Sequence, residues 1–109
     1  MNVKRKIVNN IMSYIIEFNI IDELNTIIIS ENSWKKSVII NNLIRHRYSQ
    51  DLVEAIINNH FLNIAEWLDA KFRGEEVKFS DPEYDEFQSW RKECKVIADE
   101  ALAVYPEYY

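Results

Sequence analysis

Few side chains in this chain of 109 residues have the chemistry of a reactive centre: one cysteine, Cys94, two histidines, His46 and His60, and two runs of acids, Glu75-Glu76 and Asp81-Glu83-Asp85-Glu86. A lone cysteine excludes an internal disulfide, and with two histidines far apart in sequence it makes no zinc-ligand pattern. Cys94 falls on an apolar helix face with Phe87, Trp90, Ile97 and Ala101, so it is expected to be a core thiol rather than a nucleophile. The acids are local in sequence and suit helix capping and the helix dipole better than a pair of catalytic carboxylates facing across a cleft. There is no glycine-rich phosphate loop, no serine nucleophile elbow and no paired-histidine helix. With a single glycine, Gly74, close backbone approach to a cofactor is disfavoured, so no catalysis, cofactor or metal is expected.

Charge separates along the chain. Residues 1–50 carry seven Lys or Arg and four acids, net +3, whereas residues 51–109 carry six and fourteen, net −8, which together give −5. An acidic total argues against nonspecific nucleic-acid binding and favours solubility. The 48% apolar and 28% charged residues are ordinary for a globular protein, and the length fits one domain, residues 1–109, that folds without metals or disulfides. Asn9, Asn10, Ser13 and Glu17 interrupt the apolar run near the start, so it reads as mature sequence rather than a signal peptide, and no run has the length of a membrane span. The reduced cysteine points to the cytoplasm.

The elements that would position these residues differ between the two halves. The first fifty residues hold no alanine and are rich in isoleucine, asparagine and serine, while the rest holds every alanine and most of the glutamate. Val3, Ile7, Val8, Ile11 and Met12 recur at helical spacing and predict a short amphipathic helix over residues 3–12. From Ser13 the period becomes two, with Tyr14, Ile16, Phe18 and Ile20 alternating with Ile15, Glu17, Asn19 and Ile21, which predicts a β-hairpin over residues 13–30. The same stretch also draws as a helix face through Phe18, Ile21, Asn25 and Ile28, giving an all-α bundle as the alternative fold.

Ser30, Asn32 and Ser33 offer N-caps for a helix from Trp34 to the basic end Arg45-His46-Arg47, and Ser49 caps a second helix through Leu52, Val53, Ile56 and Ile57. His60 to Phe72 continues the apolar pattern through Phe61, Ile64, Ala65, Trp67 and Leu68, either as a new helix or as the same one bent, and Gly74 ends it. Residues 75–80 are an extended connector or a small edge strand. Asp81-Pro82-Glu83 then starts a last helix that runs to about Ala103, because Pro106 disfavours helix at Tyr105. The fold class is therefore α+β, helix-dominated, with an Ile-rich N-terminal hairpin. A helix-turn-helix over Trp34–Phe61 is poorly supported, since its second helix begins with Asp51 and Glu54 and carries no Lys or Arg.

Three tryptophans and six tyrosines are more than one small core is expected to absorb, and aromatics beside acids are common interface anchors. The expected protein interface comprises Tyr14, Phe18, Trp34, Tyr84, Tyr105, Tyr108 and Tyr109, used by an exposed hairpin edge and a docking C-terminal tail. The stretches Tyr48-Ser49-Gln50-Asp51-Leu52-Val53-Glu54-Ala55-Ile56-Ile57 and Glu86-Phe87-Gln88-Ser89-Trp90-Arg91-Lys92-Glu93-Cys94-Lys95 resemble segments of small uncharacterised phage- and prophage-encoded proteins. That resemblance covers about a fifth of the chain and brings no catalytic residues. It implies a virion component, a head or tail accessory protein, or an assembly factor, with virion subunits or further copies of the chain as partners. The alternative is a small acidic inhibitor, an antitoxin or immunity protein, whose acidic half covers a basic toxin.

Overall fold

The computed structural model describes residues 1–107. Three strands, β1 (Asn2–Val8), β2 (Ile11–Ile20) and β3 (Glu23–Ser30), are followed by a 3-10 turn (Glu31–Ser33) and three helices, α1 (Lys36–Arg47), α2 (Gln50–Phe72) and α3 (Pro82–Val104). This is an α+β fold with an antiparallel sheet in the order β1-β2-β3.

The sheet follows from its turns. Asn9-Asn10 and Ile21-Asp22 are two-residue loops flanked by the pairs Val8↔Ile11 and Ile20↔Glu23, and all four loop residues have positive φ (51°, 65°, 49° and 62°). That is the type I′ geometry, whose twist matches the strands it joins. Asparagine tolerates it, so Asn9-Asn10 reverses the chain where a helix was expected, and residues 3–12 form β1 and the start of β2 instead. In β1 only Val3 is buried, opposite Ile16, while Lys4, Arg5 and Lys6 stay in water. The apolar spacing that looked helical belongs to an edge strand with little to bury.

Ile21 is the costly member of the second loop. A β-branched residue with φ 49° is strained, and its side chain is 81% exposed, so packing returns little. Ile21→Asn is expected to raise the unfolding free energy by about 1 kcal/mol, read as a higher urea midpoint with unchanged slope.

The register sets the core. Tyr14, Ile16 and Phe18 of β2 share a face with Ile29 and Ile27 of β3 and with Val3 of β1, and α1 and α3 cover that face with Ile39, Leu43, Phe87, Trp90, Cys94, Ile97, Ala98 and Ala101. The alternation expected over residues 13–30 is thus the strand alternation of the hairpin. Ser30 and Asn32 do not cap α1. They bond to one another (2.8 Å), and the first free N–H of the helix, on Lys36, donates to Glu107 at the far end of the chain (2.9 Å). Asp81 does cap α3, accepting from Tyr84 N, with Pro82 at the first helical position. Gly74, at φ 83°, closes α2 as expected.

Residues 50–72, left open as one helix or two, are one helix of 23 residues, roughly 35 Å long. It meets the rest of the chain mainly through α3, and α3 begins at the level of His60. The last three turns of α2 and the return segment 73–80 therefore project as an arm. The molecule measures 62 × 24 × 21 Å with a radius of gyration of 18.4 Å, against about 13 Å for a compact domain of this length.

Candidate functional site

Tyr14, Phe18 and Trp34, expected at an interface, are consumed by the chain's own core. Tyr14 lies 4.3 Å from Trp34 and 4.9 Å from Tyr105 between ring centroids, and Phe18 packs against Trp90 and edge-on to His46. Helices on one face of the sheet supply enough apolar wall to take up these rings, so the expectation of surplus aromatics fails for all three. Tyr105 is half-buried and its carbonyl accepts from the Trp34 indole (2.7 Å). Tyr108 and Tyr109 lie outside the described residues. Strand β2 is central, paired on both sides, so an added strand would have to use β1 or β3. The edge strand β1 carries Lys4, Arg5 and Lys6, the kind of charge that discourages edge pairing, although Lys4 and Arg5 reach across the sheet to Glu17 and Glu31.

Cys94 is fully buried, and burial pushes its thiol up to about 12, which removes the thiolate needed for nucleophilic or redox chemistry at neutral pH. Among the described residues no three His, Cys, Asp or Glu side chains gather as metal ligands, and no helix is long and apolar enough to cross a membrane.

The arm is built on a pairing that sequence inspection missed. His60 Nδ1 lies 2.8 Å from Asp81 Oδ2, Asn63 Nδ2 donates to the same oxygen (3.1 Å), and Tyr84 N donates to Oδ1 (3.3 Å). The imidazole stacks on Tyr84 at 3.5 Å and 8°, with Phe79 edge-on at 5.7 Å. These bonds, the His60 bond first, hold the Asp81 carboxyl below the usual carboxylate range. The cluster fastens the midpoint of α2 to the first residue before α3 and fixes where the arm departs. Beyond it, Trp67 Nε1 donates to the Val77 carbonyl (3.0 Å) and Trp67 meets Phe79 edge-on, so the return segment lies along α2 as an extended connector. Asn63, Trp67, Ala70 and Phe79 line an open groove of about 290 Å³ between the two.

A group whose folded value is depressed adds stability that is complete above its unfolded value, 3.8 for this carboxyl, and disappears as pH falls through the lower folded value. Asp81→Asn is therefore expected to lower the urea midpoint at about pH 6, with the gap from the parent chain closing as pH falls below 3.8. A gap of constant size would mean that the loss comes from the cap and packing and not from the charge.

Two faces of α2 carry apolar residues, which the expected single face through Phe61, Ile64, Ala65, Trp67 and Leu68 had merged. Ile56, His60, Asn63, Trp67 and Ala70 turn toward α3 and the connector. Phe61, Ala65, Leu68 and Phe72 follow at steps of four, three and four and lie about 150° around the helix from that set. All four are exposed, Phe61 by 64%, Leu68 by 44% and Phe72 by 89%, with Leu62 beside them at 61%. The spacing was readable in the sequence. What hid it was the assumption that each helix has one apolar face.

Comparison with protein-family models, curated proteins and solved structures finds no significant match. The geometry of the chain alone therefore bears on its function.

Proposed function

We propose that this chain is a noncatalytic assembly or adaptor protein that works by binding protein. The observation that carries this reading is the arm: a helix anchored through His60–Asp81 that holds a row of phenylalanine and leucine in water, away from the core. Isolated exposed apolar residues are common on proteins, but a contiguous row on one rigid element is the form of a helix-recognition surface. The role in virion assembly implied by the resemblance of residues 48–57 and 86–95 to phage-encoded proteins belongs to the same reading.

The test is a nuclease-treated pull-down from the native source, comparing the parent chain with Phe61→Glu/Phe72→Glu. Partners kept by the parent and lost by the variant support the reading. Identical recovery by both chains, or recovery of no protein partner by the parent chain, overturns it. Both side chains are exposed, so the variant is expected to keep the parent's circular dichroism and urea midpoint.

A further inference from the structure

We infer that the exposed seam of α2 pairs with the same seam of a second copy, antiparallel about a two-fold axis, making the chain a homodimer; this deepens the assembly reading and rests on it. The seam has the three-four spacing of a helix that packs against another helix. Its spacing also reads the same in both directions, with alanine and leucine exchanging places: a phenylalanine, three residues, alanine, two residues, leucine, three residues, a phenylalanine. Laid antiparallel, Phe61 meets the second copy's Phe72, Ala65 meets its Leu68, and the remaining two layers repeat these by symmetry. Small stands opposite large at the centre and ring opposite ring at the ends. Such self-complementarity is what an isologous interface requires. Parallel pairing would instead set Ala65 on Ala65 and Phe72 on Phe72, leaving one layer empty beside an overfilled one.

The seam is also bounded. Asn58 and Glu54 continue it toward the N-terminus of α2 as exposed polar residues, and Gly74 ends the helix beyond Phe72. With Phe61 and Phe72 exposed by 64% and 89%, roughly 200 Å² per ring leaves about 300 Å² of aromatic surface in water on each copy. Pairing covers about twice that from the phenylalanines, and Leu62, Leu68 and Ala65 bring the total to on the order of 1,000 Å², where specific interfaces begin. Because the arm projects past α3, antiparallel pairing sends the two bodies to opposite ends, clear of one another.

The experiment is sedimentation equilibrium of the full chain over a concentration series, with Phe72→Glu beside it and an oxidative cross-linking arm. A mass of twice 13.1 kDa is expected for the parent, with association weakened, and Kd raised, on the order of 100-fold in Phe72→Glu. A mixture of Ala65→Cys and Leu68→Cys chains is expected to form the mixed disulfide in preference to either homodimeric one, and buried Cys94 stays out of the reaction. A parent that remains monomeric, a dimer untouched by Phe72→Glu, or cross-linking of Ala65→Cys chains to one another in preference to the mixture overturns the inference. If the parent is monomeric yet loses a protein partner through Phe61→Glu/Phe72→Glu, self-pairing falls while the assembly reading stands. If no partner is lost either, both fall.

Discussion

Trp34→Ala is expected to lower the unfolding free energy by about 4 kcal/mol, a large share of the roughly 5 to 15 kcal/mol that holds a domain of this size together. Trp34 is fully buried where the 3-10 turn hands the chain from the sheet to α1. Its ring packs on Tyr14 of the central strand, and its N–H holds the Tyr105 carbonyl just beyond α3. One side chain thus joins the sheet, the start of the helical layer and the end of the last helix. Trp34→Phe separates the contributions: the ring stays, the donor goes, and the Tyr105 carbonyl loses its partner, for about 1 to 2 kcal/mol. Urea unfolding followed by circular dichroism reads both. A loss below about 1 kcal/mol for alanine would mean that the core collapses onto the space, contrary to close packing around the indole.

Trp90→Ala is expected to cost about 3 kcal/mol, with a different pattern in the phenylalanine variant. Trp90 is buried between α3, α1 and Phe18, and its N–H donates to the Leu43 carbonyl at 3.2 Å. That carbonyl lies within α1 and also serves the helix's own hydrogen-bond ladder, so Trp90→Phe leaves it satisfied and costs no more than about 1 kcal/mol. The Trp34→Phe loss is therefore the larger of the two, although both remove one indole donor. Equal losses would show that the Tyr105 carbonyl finds water when the indole is gone.

How far the sequence spoke for the structure depended on whether a signal was local. Alternation over residues 13–30 was strong because Tyr14, Ile16 and Phe18 all face the core, and Asp81-Pro82 marked the start of α3 through chemistry contained in two residues. Strand β1 was obscured because it buries little beyond Val3, so its pattern fitted a helix as well as a strand; Asn9-Asn10 was the clue that decided between them. Burial of Tyr14, Phe18 and Trp34 could not be judged by counting aromatics, since it depends on how much wall two helices offer to one sheet face. His60 and Asp81 are 21 residues apart, a separation set by the length of the arm, and no local spacing rule reaches across it. The second face of α2 was present in the spacing of Phe61, Ala65, Leu68 and Phe72 and was absorbed into the first.

The order of elements has a consequence for how the chain acquires its shape. Both sheet turns have only two residues, so the strand pairings are local and form with little loop-closure cost. Their inner face, in contrast, is completed by residues far along the chain: Phe18 is covered by Trp90, and Tyr14 by Tyr105. Until residues 82–105 leave the ribosome, the nascent chain carries a paired β-meander that only Trp34 and α1 can cover, and its rate-limiting event is expected to be the docking of α3 across most of the sequence rather than formation of the sheet.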